Sequence, residues 1–256
     1  PAGKPQSKSY LSVVWCPQRV AFYLALNRSG QLTTNSGLDF IRMKLRTALS
    51  LVCSLIFLLG TACSADTEYR VKWVADGDTI VLSEGSTVRY IGINAPELPR
   101  EDHIGEPYAD EAKRFNGRLV KNKKVHLEFD IEPNDRFQRR LAYVFLKDGT
   151  FVNAELLSKG YAYLLYVRPN VKYQATFLAA QQAAMSAKKG IWSNWREQSA
   201  SYIGNKRSRR FHLATCSSGK RIKPENRIIF KKKWDAYWEG YAPAKPCQPV
   251  FTIPQD

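Results

Sequence analysis

The 256-residue chain is 44% apolar and 24% charged, so it can bury a core, and it is neither a disordered chain, a collagen nor a multi-span membrane protein. Its 39 Lys and Arg outweigh 23 Asp and Glu, and the net +16 points to a polyanionic partner, nucleic acid or an anionic membrane surface. The excess sits in the flanks. Residues 1–65 hold 7 basic and 1 acidic residue, residues 199–256 hold 12 and 4, and residues 66–198 are nearly balanced at 20 and 18. A balanced, carboxylate-bearing middle beside a basic tail separates chemistry from binding.

From Met43 the text has the form of a secretory signal. Lys44 and Arg46 give a positive start, residues 48–59 (ALSLVCSLIFLL) an apolar run, and Gly60 to Ala65 a stretch of small residues suited to cleavage after Ala62 or Ala65. The run is too short for a membrane-spanning helix, which needs about 20 apolar residues. Cys63 raises a lipid anchor, but Gly60 stands where a lipoprotein signal carries Leu, so simple cleavage is favoured. Residues 1–42 show no sustained periodicity and are set apart as a non-native or disordered extension, with 43–65 as the signal peptide.

In the middle segment, residues 68–74 (EYRVKWV) have strand character, Asp76-Gly77 marks a turn, and 79–82 (TIVL) returns as a strand. Residues 87–93 (TVRYIGI) alternate polar and apolar and complete a three-strand meander. Pro107 opens a helix through Lys121, with Ala109, Ala112, Phe115, Leu119 and Val120 at helical spacing. Residues 125–129 (VHLEF) and 141–146 (LAYVFL) predict the fourth and fifth strands, 152–158 a short helix ended at Gly160, and 172–188 a third helix. Three strands, a helix, two strands and further helices predict an α+β fold: a five-stranded OB-type barrel with three helices, plus a small C-terminal module.

Four short pieces in the middle segment carry chemistry: Asp76-Gly77-Asp78-Thr79, Arg89 within its strand, Asn94-Ala95-Pro96-Glu97 at the strand end, and Asp135-Arg136-Phe137-Gln138-Arg139-Arg140 before the fifth strand. Singly they read as a hairpin turn, a solvated face, a loop Glu and a charged loop. In this order they resemble the thermonuclease (staphylococcal-nuclease-like) family, with its DGDT turn, its R-x4-D-x-P-E strand end and its D-x-x-G-R-x-L-A-Y strand. The resemblance runs from about residue 69 to 193 and includes Gly190-Ile191-Trp192-Ser193. It implies an exported Ca2+-dependent endonuclease hydrolysing phosphodiester bonds of DNA and/or RNA, with 3'-phosphate ends. Asp78, Asn94 and the Ala95 carbonyl would bind Ca2+, Glu97 would orient or deprotonate water, and Arg89 and Arg139 would hold the phosphate. Phe137 and Tyr166 match aromatics that meet the nucleotide. Four departures stand out: Asn94 for Asp, which removes a charge from the metal site, Ala95 for Thr, Phe137 for Tyr, which keeps the ring and loses a hydroxyl, and Gln138 for Gly. Asn94 is also the best argument for the alternative, an OB-fold nucleic-acid-binding protein with weak or no catalysis.

Residues 199–256 resemble a small Ada-type metal-binding module appended to bacterial nucleases. Its ligand set is incomplete here, because Ala244 stands where one Cys is expected, leaving His212, Cys216 and Cys247. Either these hold zinc with a fourth ligand, or Cys216 and Cys247 form a disulfide, which an exporting signal favours. Lys231, Lys232 and Lys233 beside Trp234, Tyr237 and Trp238 combine charge with aromatics, as phosphate neutralisation and base stacking require, or form a solvated helix with an aromatic core face. The expected partner is a DNA or RNA substrate, with a monomeric protein, no obligate protein partner and a periplasmic or secreted location.

Overall fold

The computed structural model describes residues 67–101, 104–197 and 199–245; the signal-type segment and Cys247 lie outside them. The described chain runs β1 (Glu68–Asp76), β2 (Thr79–Leu82), β3 (Thr87–Tyr90), β4 (Ile93–Asn94), α1 (Ala109–Val120), β5 (Lys124–Glu128), β6 (Arg140–Leu146), α2 (Val152–Ser158), β7 (Tyr163–Leu164) and α3 (Gln174–Ser186). It continues with β8 (Tyr202–Asn205), β9 (Arg210–Leu213), α4 (Ser217–Lys220), β10 (Arg227–Phe230), α5 (Lys233–Trp238) and β11 (Ala242–Pro243).

Strands β1, β2, β3, β6 and β5 close a five-stranded barrel in that order, the architecture expected from the sequence. Neighbours pair antiparallel except β3 and β6, which run parallel with Arg89 opposite Leu141. Register shifts in β1, between Val71 and Trp73 and between Val74 and Asp76, bend this long strand so that it can pair with β2 at one end and β5 at the other. Alternation along β3 places Val88 and Tyr90 in the core and turns Thr87 and Arg89 to the opposite face. Ile80, Leu82, Val88, Tyr90, Val125 and Val144 fill the barrel interior, and α2 and α3 add Leu156, Leu157 and Phe177 to the same core.

The strand expected over 87–93 breaks in two. Gly92 takes φ +80°, and a Cβ there would lie 2.5 Å from the Phe177 ring, so the chain turns tightly against α3. Beyond this turn β4 leaves the barrel and pairs antiparallel with β7 (Ile93 with Leu164, Asn94 with Tyr163), a two-stranded ribbon that the linear pattern does not reveal. The third helix is shorter than its 172–188 pattern, beginning after Tyr173.

Residues 199–245 form a second sheet in the order β10, β8, β9, β11, with α4 and α5 beside it. Its core is shared with the barrel domain. Tyr163, Ala184, Met185, Ile191 and Trp192 belong to one apolar cluster with Tyr202, Phe211, Phe230, Tyr237 and Tyr241. The polar seam is specific as well: Gln181 of α3 accepts from the Leu164 N–H and donates to the Tyr237 carbonyl, and Gln182 donates to the Trp238 carbonyl at 2.9 Å. The Gly190-Ile191-Trp192 signature thus serves as the plug that joins the two sheets, with Trp192 edge-on to Tyr237 at 5.1 Å.

Candidate active site

The turn joining β1 to β2 comes first. Asp-Gly predicts a hairpin glycine of positive φ, yet Gly77 is absent from the residues that adopt one. It is there for room: a Cβ on Gly77 would fall 2.5 Å from the Cβ of Ala95 and 2.8 Å from that of Ala112. The turn therefore presses against both the β4 end and α1. Asp76 Oδ1 accepts from the Asp78 N–H at 3.0 Å, and Asn116 of α1 donates to the Asp76 carbonyl at 3.3 Å. These contacts deliver Asp78, only 5% exposed, to the Ala95 backbone, whose N–H donates to Asp78 Oδ2 at 2.6 Å.

Arg89 closes the same cluster. Its Nη1 lies 2.7 Å from Asp78 Oδ2 and its Nη2 donates to Asn94 Oδ1 at 2.9 Å, so the guanidinium is clamped between the two residues. Burial raises the Asp78 carboxyl above its ordinary value; Arg89 pulls it back and Asp76 pushes it up. Asn94 is saturated. Its Nδ2 donates to the Ala95 carbonyl at 3.1 Å and to the Tyr163 hydroxyl at 3.0 Å while Oδ1 takes Arg89. Flipping the amide would set donor against donor at Arg89 and acceptor against acceptor at Ala95.

Glu97 sits on the following loop with its carboxylate half-exposed, 3.2 Å from Arg100. Its backbone is fixed: its N–H donates to Glu106 Oε2 at 2.9 Å, and the Glu106 N–H donates back to the Glu97 carbonyl at 2.8 Å. Arg139 lies on the loop before β6 and is held by Asp135 through Nε at 2.8 Å and Nη2 at 2.7 Å. Asp135 also accepts from the N–H groups of Phe137 and Arg139; burial alone would raise its carboxyl, but these bonds hold it below the ordinary range. Gln138, in place of the expected glycine, takes φ +62°. The parallel pairing of Arg140 with Val88 brings this loop beside the strand that carries Arg89.

The structure therefore gathers Asp78, Arg89, Asn94 and Ala95 into one bonded cluster, with Glu97 on the loop that leaves it and Arg139 and Phe137 on the neighbouring strand's loop. Phe137 is 64% exposed, with Arg136 and Arg139 against its ring. Tyr166 differs: it is buried among Gly92, Tyr143 and Phe177, and its hydroxyl takes a bond from Arg168, so it offers no open face for stacking. Lys231 and Lys232 are exposed, but Lys233 is 4% exposed with its ammonium over the Trp195 ring, because Glu197 caps α5 by accepting from the Lys233 and Trp234 N–H groups and draws that turn inward. Lys233 is thus a packing residue rather than a phosphate contact.

In the second sheet, His212 Nδ1 lies 3.6 Å from Cys216 Sγ. Cys216 is disulfide-bonded, which removes it as a thiolate ligand; its expected partner Cys247 lies outside the described residues. The described residues contain no group of three or more His, Cys, Asp or Glu placed to hold a metal. The barrel cluster offers a hard cation three oxygen donors, Asp78, Asn94 Oδ1 and the Ala95 carbonyl; in this structure Arg89 bonds the first two and the Asn94 amide the third. Three contributors carry no local signature in the sequence: Tyr163 and Glu106, which sit in ordinary apolar and polar stretches, and Gly77 in its steric role.

Residues 87–194 match the staphylococcal nuclease homologue family. The chain is 39% identical over 138 residues to the thermonuclease of Staphylococcus hyicus, covering 53% of this chain and 81% of that protein. It is 38% identical over 127 residues to the thermonuclease of Staphylococcus intermedius, covering 48% and 75%. It is 42% identical over 123 residues to endonuclease YncB of Bacillus subtilis, covering 46% and 58%.

Proposed function

Because the chain belongs to the staphylococcal nuclease homologues and is a phosphodiester hydrolase, we propose that it is an exported, Ca2+-dependent endonuclease acting on DNA and/or RNA. The observation that carries this reading is the Asp78–Arg89–Asn94 cluster on Ala95, with an accessible carboxylate, Glu97, on the adjoining loop. Asp78, Asn94 Oδ1 and the Ala95 carbonyl would hold the Ca2+, which when bound supplies positive charge against the phosphate.

The chain's own groups account for the rest. Glu97 takes a proton from the attacking water as its oxygen bonds to phosphorus. Arg89 and Arg139 offer guanidinium forks to the phosphate oxygens as negative charge builds there, and the P–O bond to the leaving alkoxide breaks, its oxygen taking a proton from solvent water. Asp78 and Asp135 set those guanidiniums in place beforehand, which lowers the cost of ordering them on the substrate. The exposed Phe137 is placed to stack on a base, and the solvent-facing Lys231 and Lys232 to meet backbone phosphates.

Export rests on the signal-type segment at 43–65 and is supported by the disulfide at Cys216, a bond that persists in oxidising compartments. Digestion of DNA and RNA by the purified protein with Ca2+ and with EDTA tests the catalytic reading. Cleavage that EDTA abolishes and Ca2+ restores is expected. Binding without cleavage under every metal condition would leave a nucleic-acid-binding barrel instead.

A further inference from the structure

At one end of the C-terminal sheet two loops meet. The turn joining β8 to β9 carries Lys206 and Arg207, and the stretch from the end of α4 to the start of β10 carries Lys220, Arg221 and Lys223. From residue 205 to 227 the sequence holds eight Lys and Arg against one carboxylate, Glu225. Hydrogen bonds fix the loops to each other. Arg227 pairs with Asn205 across β10 and β8, and its Nη2 donates to the Ile222 carbonyl at 2.7 Å and the Lys220 carbonyl at 3.0 Å. The Lys206 N–H donates to the Asn226 carbonyl at 2.8 Å, and Asn205 Oδ1 shapes the turn by accepting from the Arg207 N–H at 2.9 Å. The charge gathered there is uncompensated. In the barrel, exposed cations answer carboxylates, as Lys124 does Glu68 at 2.8 Å and Lys172 does Glu128 at 2.6 Å. Among the described residues no ion pair neutralises the five loop cations, all of them exposed. The bonds that two of them make, Lys206 to the Glu225 carbonyl at 3.4 Å and Arg221 to Ser218 Oγ at 3.2 Å, end on neutral oxygens.

We propose that this end of the C-terminal sheet, through Lys206, Arg207, Lys220, Arg221 and Lys223, binds backbone phosphates of the nucleic acid at a distance from the bond that is cut. The inference rests on the nuclease reading above for its choice of partner. The surface chemistry agrees with that choice. A membrane-docking face sets cations beside apolar groups that enter lipid, and a base-stacking face needs aromatics; no large apolar side chain is exposed between residues 205 and 227. Charge without apolar contact suits a sugar–phosphate backbone held without regard to sequence. The face is separate from Lys231 and Lys232, which follow the other end of β10, about 13 Å further along the strand. Contacts so placed are made equally to substrate and transition state, so they lower KM and leave kcat alone.

The test uses the full chain and measures binding to a DNA duplex in EDTA over a series of salt concentrations. The fourfold variant Lys206→Gln/Arg207→Gln/Arg221→Gln/Lys223→Gln should bind more weakly, and the slope of log affinity against log salt should become shallower by about 3–4, at about 0.9 per lost phosphate contact. Each half of it, Lys206→Gln/Arg207→Gln or Arg221→Gln/Lys223→Gln, should lose about half as much, which keeps the test open if the fourfold variant folds poorly. With Ca2+, KM for long DNA should rise by about tenfold or more while kcat, and cleavage of a trinucleotide, stay near wild type. A charge-matched control at exposed barrel cations, Lys121→Gln/Lys123→Gln/Lys147→Gln/Lys159→Gln, should leave the slope nearly unchanged. A slope that the loop variants keep, or that the control lowers as much, overturns the inference. So does loss of binding to phosphatidylserine vesicles in the fourfold variant with the duplex slope unchanged, which would make the face lipid-directed. A wild type whose duplex slope falls in the fourfold variant, but which cuts neither DNA nor RNA with Ca2+, overturns the nuclease reading alone.

Discussion

Gly77→Ala probes the packing on which the site depends. The added methyl would stand 2.5 Å from the Ala95 Cβ and 2.8 Å from the Ala112 Cβ, where an ordinary carbon–carbon contact is about 3.5–4.0 Å. Neither neighbour can swing away, because both are Cβ atoms fixed to backbone, one at the β4 end and one on α1. The β1–β2 turn must therefore retreat by about 1 Å. Asp78 moves with it, so its 2.6 Å bond to the Ala95 N–H opens and its 2.7 Å pairing with Arg89 is disturbed. Overpacking of this kind costs about 1–3 kcal/mol in stability, and a displacement of that size at the site costs about a hundredfold in kcat. Thermal unfolding and initial-rate cleavage of single-stranded DNA at saturating Ca2+ measure the two effects separately. Gly77→Ala/Ala95→Gly, which removes the tighter of the two clashes, should recover part of both. Wild-type kcat in Gly77→Ala would refute the argument that this turn is wedged in place for catalysis.

Three further outcomes are expected. Glu97→Gln and Arg139→Ala should lower turnover by about a hundredfold with less effect on nucleic-acid binding; Arg89→Lys is the safer probe at the third position, since Arg89→Ala would strand Asp78 without its cationic partner and destabilise the fold by about 3–5 kcal/mol, and full turnover in all of these would end the catalytic assignment. Asn94→Asp exchanges the amide that donates to the Ala95 carbonyl for a carboxylate, adding charge to an oxygen site, so the Ca2+ concentration for half-maximal cleavage should fall by about tenfold or more; an unchanged midpoint would remove Asn94 from the ligand set. Burial holds the His212 imidazole below its ordinary 6.5, so the unfolded chain binds the proton more readily. Stability should then fall as pH drops below 6.5 toward the lower folded value, and His212→Asn should flatten the melting-temperature profile on the acid side of 6.5; parallel profiles would show that His212 does not contribute.

The sequence alone determined the barrel. The apolar runs of residues 79–82 and 141–146, the alternation of 87–90, the turn at Asp76-Gly77 and the helical spacing of Ala109, Ala112 and Val120 are local signals, and local pattern is what fixes which strand or helix faces are buried. It also singled out Asp78, Arg89, Asn94, Ala95, Glu97 and Arg139 as candidates, because their motif spacings survive as a linear pattern. What it could not convey is how distant segments meet. Tyr163 lies 69 residues from Asn94 in the chain and reaches it only through the β4–β7 ribbon. Lys233 looked like part of a basic patch because three lysines adjoin in sequence, but helix capping by Glu197 and packing on Trp195 turn it inward. The C-terminal segment read as a separate basic module, since charge composition carries no record of shared burial. Only the tertiary structure places Trp192 and Tyr163 in one core with Tyr237 and Phe211, because contacts between remote segments are set by the packing of whole surfaces rather than by any local pattern.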